Sequence, residues 1–327
     1  MMTKKIEMDA QIIAVRDQLQ KLRDELHDGN VYQTLGQRVS HIILNTRRRQ
    51  RTTVTLPPDV AQLEEWLAPL IAKDYHVTHV SQADLDLVLP YLRSTDYRTR
   101  YGLALPTLIR FVDSGVLSAD QFRWLALQLL GPDYLFNHIL EPVNRGAFGR
   151  AAATRLLAVV MEYENNHPGT VHLNVDHFVI QIATYICLET DTRGFVTHSG
   201  QLTTFSEMAF LMDRLGAGDW LPRADKIFLM VILFERLKQL KTPLYNGELT
   251  QISSYLTTLA NRNVLYESAL LDALNQWPDL GGFPSLEDSN TSRWNLMFNG
   301  RRLAGDLCFQ LDLPKRIQDN LMRRMVL

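Results

Sequence analysis

Residues 222–241 read PRADKIFLMVILFERLKQLK, and between Ile227 and Phe234 every side chain is apolar. Lys226 and Glu235 close the run at its two ends. Crossing a bilayer takes roughly 20 apolar residues, so this stretch is a buried helix and not a membrane span. A helix that is apolar almost all round has to sit centrally, with neighbours on several sides. Those neighbours are legible on both flanks. Val175, Phe178, Ile182 and Ile186 form one stripe at helical spacing, and Leu249, Ile252, Leu256 and Leu259 form another. Farther out lie Phe148, Ala152, Leu156, Val159 and Tyr163 on one side, and Leu303, Leu307 and Leu311 on the other.

The same pattern extends toward the N-terminus. Pro58 and Asp59 open a helix carrying Leu63, Trp66, Leu67 and Leu70. Ser81 and Ser118 stand at N-cap positions, and Gly115 and Gly131-Pro132 supply stops. Pro106 interrupts a stripe that starts near Thr95 or Asp96, which predicts a kink or a break. Strand-type runs are confined to Thr52 to Leu56 and Val171 to Val175. Helices of about 12 to 20 residues joined by short turns pack as antiparallel neighbours. No fixed-period consensus is present. The expectation is an all-α fold of irregular antiparallel helical pairs stacked as a HEAT-like solenoid or curved array, with a closed α/α toroid as the alternative.

Met8, Ile12, Val15, Leu19, Leu22 and Leu26 alternate four- and three-residue steps, and Asp28-Gly29-Asn30 then turns the chain into Val31, Leu35, Val39 and Ile42. An antiparallel helical hairpin over residues 1–51 accounts for both stripes. A homodimeric coiled coil through the N-terminal helix competes with it. Residues 52–58 then form a linker, because Pro57-Pro58 excludes helix, and residues 59–327 form the helical array. The junction carries Arg47-Arg48-Arg49-Gln50-Arg51. Without interleaved aromatics this run reads as helix-end cations followed by a solvated linker, and not as a nucleic-acid site.

The composition is that of a globular chain, 46% apolar and 21% charged, and 34 basic against 36 acidic residues give a formal charge of −2. So balanced a chain has no global field to hold a polyanion. Cys187 and Cys308 lie far apart, as expected of core thiols in a reducing compartment. Met1 to Ala10 has no apolar run of the signal-peptide kind. A cytoplasmic location is expected by elimination.

Asp96-Tyr97-Arg98, Ala147-Phe148-Gly149-Arg150 and the run Glu189 to Val196 before Gly200 resemble the bacterial domain of unknown function 2785 family, over roughly residues 80–260. The resemblance implies an all-helical fold. After the glycine the family pattern continues with a tryptophan and two histidines on one helical face. Thr203 and Glu207 stand here where the histidines would fall, so the resemblance lends no activity.

Polar chemistry concentrates in Glu189, Asp191, Arg193, His198 and Glu207, with Gly194 and Gly200 permitting tight turns. Paired carboxylates beside a histidine can perform acid–base hydrolysis, with Asp191, Glu207 and His198 as the catalytic set. The structural reading makes Glu189 and Arg193 a helical ion pair, lets Asp191 bond turn amides, and sends Gly194-Phe195-Val196 into the core. The pairs His76/His79 and His172/His177 have no third ligand nearby, so no metal is expected. Nucleophile elbows and phosphate loops are missing, and no cofactor is expected. The loop from Trp277 to Ser289 is long enough to be functional or to cover a core edge. The function expected is therefore a non-catalytic module binding a protein or peptide partner. An α/α-toroid hydrolase is the alternative.

Overall fold

A computed structural model describes residues 8–72, 77–277, 280 and 290–325. Almost all of its regular structure is helical. The N-terminal stripes become α1 (Ala10–His27) and α2 (Leu35–Asn45), folded back on each other. Asp9 accepts the Gln11 amide at the start of α1. Gly29, at φ 79°, reverses the chain while Gly29 and Asn30 donate to the Leu26 and Glu25 carbonyls. Next come α3 (Ala61–Ala72) and α4 (Gln82–Val88), the latter closed by a reciprocal Ser81–Asp84 capping box. A π-helical stretch from Arg98 to Ala104 leads into α5 (Leu105–Asp113), with Pro106 in its first turn. The expected interruption is thus a change of helix type, placed where proline has no N–H to donate.

After α6 (Ala119–Leu129), which begins at a Ser118–Gln121 capping box, residues 130–144 turn irregularly with most side chains buried. The main body follows: α7 (Gly146–Asn166), α8 (Val175–Leu188), a hairpin of β1 (Phe195–Val196) and β2 (Gly200–Gln201), then α9 (Thr204–Ala217) and α10 (Arg223–Leu237). It ends with α11 (Glu248–Arg262), α12 (Val264–Asn275), α13 (Thr291–Cys308) and α14 (Lys315–Met325). The antiparallel hairpin pairs Phe195 with Gln201 and Val196 with Gly200, and is the only sheet among the described residues.

Packing follows a rule of alternate neighbours. Helices α5, α7, α9, α11 and α13 lie successively side by side, and α8, α10, α12 and α14 form a second row. The hairpin α1–α2 packs on α8 and α10. Helix α10 therefore touches α1, α2, α8, α9 and α12, which is the central position its all-round apolar sequence requires. One continuous core runs from Ile12 to Leu321. The seam residues Ile12, Val15, Leu19, Leu22 and Leu26 are all buried in it. Among the described residues no helix is long and apolar enough to cross a membrane.

Candidate functional site

The three stretches that carry the family resemblance lie far apart in sequence and meet in space at the N-terminal end of α7. Arg150, on the first turns of α7, is 2% exposed, and Glu189, the residue after α8, is 0% exposed. Arg150 donates from Nε to Glu189 Oε2 at 2.7 Å and from a terminal nitrogen to Oε1 at 3.0 Å. Its other terminal nitrogen donates to the Asn137 carbonyl at 2.8 Å. Glu189 Oε1 also accepts the Thr190 and Asp191 amides, both at 2.9 Å. Burial alone pushes this carboxyl up, but Arg150 and the two amides hold it below the usual range. Glu189 thus does not pair with Arg193 along a helix. Helix α8 has already ended, and the buried guanidinium opposite competes better than any i+4 neighbour.

Arg193 turns back instead to Asp191, with Nε to Oδ1 at 2.9 Å and a terminal nitrogen to Oδ2 at 2.6 Å. The same side chain donates to the Asn144 carbonyl at 2.7 Å, tying the loop to the start of α7. Asp191 accepts the Arg193 amide at 3.2 Å, the turn bond its position suggests. Glu207, in the first turn of α9, faces Arg155 Nε at 2.5 Å and accepts the Thr203 hydroxyl at 3.3 Å. Burial raises its pKa more than Arg155 lowers it. Each of the three carboxylates is matched by its own arginine.

The β1–β2 hairpin closes over a fourth arginine. Arg100 is fully buried. It donates to the carbonyls of Ser94 at 2.6 Å and of Ser199 and Gln201 at 3.2 Å. Its guanidinium lies 4.6 Å from the Phe148 ring centre and 4.9 Å from that of Tyr101. Desolvation lowers its pKa by more than Tyr101 and Asp96 raise it. Gly200, at φ 78°, sits against the Tyr97 ring, where a Cβ would lie 2.6 Å from it. Contrary to expectation, Phe195 is 64% exposed and points away from the core, and Val196 alone of that pair packs inward. His198 occupies the hairpin turn at φ 66°, exposed, and makes no hydrogen bond to Asp191 or Glu207 among the described residues.

Residues 135–309 match the sequence family described as Protein of unknown function (DUF2785). The chain belongs to this family. The DUF2785 stretch begins later and ends later than the resemblance suggested. It includes Arg150, Glu189 and Gly200 but leaves Asp96-Tyr97-Arg98 and the α1–α2 hairpin outside. No curated protein matches the chain, and no solved structure does.

Sequence reasoning missed the structural use of the arginine run. Arg48 donates to the Leu188 carbonyl at 2.8 Å and to the Ile139 carbonyl at 3.1 Å, capping the C-terminal end of α8. Arg236, from α10, donates to the Cys187 carbonyl at 3.2 Å beside it. Burial and the nearby Arg48 push Arg236 down to about 10, and burial pushes the Cys187 thiol up to about 12. Arg49 pairs with Asp9 at 2.9 Å, and Arg51 donates to the Pro142 carbonyl at 3.2 Å. The run is therefore docked on the end of α8 and on the 139–142 segment. It ends beside Arg145 and Arg193 in a cleft of about 390 Å³.

No group of three potential metal ligands exists among the described residues. His76 lies outside them, as does most of the Trp277–Ser289 loop; Trp277 and Leu280 are described and buried.

Proposed function

We propose that the chain is a non-catalytic binding module, an open curved array of HEAT-like helical pairs that presents the cleft beside the 189–201 loop to a protein or peptide partner. The pairing of Glu189, Asp191 and Glu207 with Arg150, Arg193 and Arg155 carries this reading. A general acid–base pair needs carboxyls free to exchange protons with a substrate. Here an arginine already sits against each of them. The open array is supported by α13, which packs on α11, and by α14, which packs on α12 and α13. A cytoplasmic location is part of the same proposal.

The test has two arms. Full-length protein is immobilised and exposed repeatedly to native lysate, and its size in solution is measured alongside. A partner recovered at constant stoichiometry is the expected result. Chromogenic glycoside, ester and peptide substrates form the second arm. Turnover that is abolished by both Asp191→Asn and Glu207→Gln, together with no recovered partner, would overturn the binding reading in favour of a hydrolase.

A further inference from the structure

Between the docked arginines and the double proline, Thr52 to Leu56 crosses the surface without helix or turn. Its start is pinned: the Thr52 amide donates to Glu141 Oε2 at 3.0 Å, and its hydroxyl donates to Glu141 Oε1 at 2.5 Å. Beyond that point the main-chain groups of Thr53 to Leu56 have no hydrogen bond among the described residues. Buried or not, unpaired amides and carbonyls in a row are the template on which another strand pairs. Three of the four, Thr53, Val54 and Thr55, are β-branched, and Pro57 biases Leu56 toward extended backbone.

The segment also joins two clefts. The first, of about 390 Å³, is lined by Arg51, Thr53, Val54, Val143, Arg145 and Arg193. The second, of about 410 Å³, is lined by Leu56, Pro57, Val60, Thr95, Asp96 and Arg98. Charge in the first cleft is one-sided. Arg193 is neutralised by Asp191, and the other acid nearby, Glu141, is held by Thr52 and His138. Arg51 uses only Nε, on the Pro142 carbonyl, and the Arg145 side chain is exposed with no partner among the described residues. Arg145 also stands at the start of the 21-residue α7, where no side chain caps the first amides. In the second cleft Arg98 is paired with Glu64 at 2.6 Å and Asp96 accepts the Thr99 amide.

We infer that Thr52–Leu56 is a docking edge for an extended acidic peptide of a partner protein, which adds main-chain hydrogen bonds to Thr53–Leu56 and sets a carboxylate between Arg51 and Arg145. The inference rests on the binding-module reading and specifies its partner. Five residues of edge span about 16 Å, enough for a partner strand of similar length. Alternate side chains of such a strand point to one face, so acids spaced two apart reach the arginines together. Main-chain bonds give the affinity and the arginines the choice of sequence.

The probe is a fluorescein-labelled decapeptide alternating glutamate and threonine, titrated with full-length protein by anisotropy; a lysine–threonine peptide is the control. Saturable binding of the acidic peptide alone is expected, weakened at least tenfold by Arg145→Glu and by Arg51→Glu. Thr55→Pro, which removes a main-chain donor without altering charge, is expected to weaken it similarly. Circular dichroism melts establish that each variant is folded, and the exposed Arg145→Glu keeps the test decisive if Thr55→Pro is not. Absence of saturation at millimolar concentration overturns the docking edge. So does an affinity unchanged by Thr55→Pro and Arg145→Glu, or a single-stranded oligonucleotide that displaces the peptide and ignores Thr55→Pro. If lysate capture returns a partner whose binding survives these variants, the docking edge falls and the binding-module reading stands.

Discussion

Glu189 and Glu207 are both buried carboxylates facing an arginine, yet their surroundings push them in opposite directions. Glu189 gains two salt-bridge hydrogen bonds and two amides, so its ionised form is favoured in the fold. Glu189→Gln strands the Arg150 charge in the core and is expected to lower stability by about 3–5 kcal/mol, read from urea unfolding. A carboxyl held below its ordinary value stabilises the fold above that value, and the stabilisation is lost as pH falls through the folded pKa. The gap between wild type and Glu189→Gln should therefore narrow as pH is lowered from 6 toward 3. Glu207 is raised, so its ionised form is disfavoured in the fold; the penalty sets in as pH rises past the ordinary carboxyl value and is complete above the folded one. Glu207→Gln is expected to be at least as stable as wild type at pH 7, with any advantage shrinking toward pH 4; a large loss at pH 7 would show that the Arg155 pair outweighs burial. The sequence flags all these acids because they cluster in one loop. It does not reveal Arg150 as the partner of Glu189, since a contact 39 residues away leaves no local spacing to read.

Helices were legible where packing is one-sided or all-round, because burial then imposes a period on the sequence. The stripes at Phe178, Ile182 and Ile186 and the unbroken run in α10 are buried as their spacing requires. The β1–β2 hairpin was not legible. Two residues per strand are too few for alternation, and its reason to exist lies in the Arg100 guanidinium gripping the Ser199 and Gln201 carbonyls. Its one sequence signal is Gly200, whose backbone is left-handed and whose missing side chain makes room for Tyr97. Gly200→Ala should cost more than the about 1–2 kcal/mol of the left-handed backbone alone, and Tyr97→Ala in the same chain should recover part of the excess, because the Cβ at 97 still stands 2.9 Å from the added one, measured by thermal melts in a double-mutant cycle. At the C-terminal end of α8, Arg48 donates to the Leu188 carbonyl, one of those the helix leaves unpaired. Arg48→Ala is expected to lower stability by about 1.5–3 kcal/mol, the range for hydrogen bonds from a charged donor. Amide exchange should then quicken in the last turn of α8 before the rest of that helix.

Across the whole molecule, the hairpin α1–α2 reads from sequence as a unit set apart by the double proline, whereas its side chains enter the same core as α8 and α10. Polar contacts fasten it there as well: His27 Nε2 lies 2.8 Å from Asp225 Oδ1, Gln239 donates to the Ser40 hydroxyl at 3.2 Å, and the most buried contact is made by Arg23. Arg23 of α1 donates to both oxygens of Asp225 at 2.6 and 2.8 Å and to Asp176 at 2.9 Å. Asp225 is fully buried on α10, while Asp176 is largely solvated, so Asp225 supplies most of the holding energy. Asp225→Asn leaves the Arg23 guanidinium nearly buried beside a single exposed carboxylate and is expected to lower stability by about 3–5 kcal/mol. A continuous core further demands that this loss be shared by every helix. Urea unfolding of the variant, followed by tryptophan fluorescence and by far-ultraviolet circular dichroism, should keep one coincident transition at a lower midpoint. Two separated transitions, with the first removing helical signal but no tryptophan change, would mean that α1–α2 can leave while α7–α14 stay folded. The hairpin would then be a detachable arm, and Arg48, Arg49 and Arg51, which follow it directly in the chain, would be drawn off α8 and the cleft whenever it swung away.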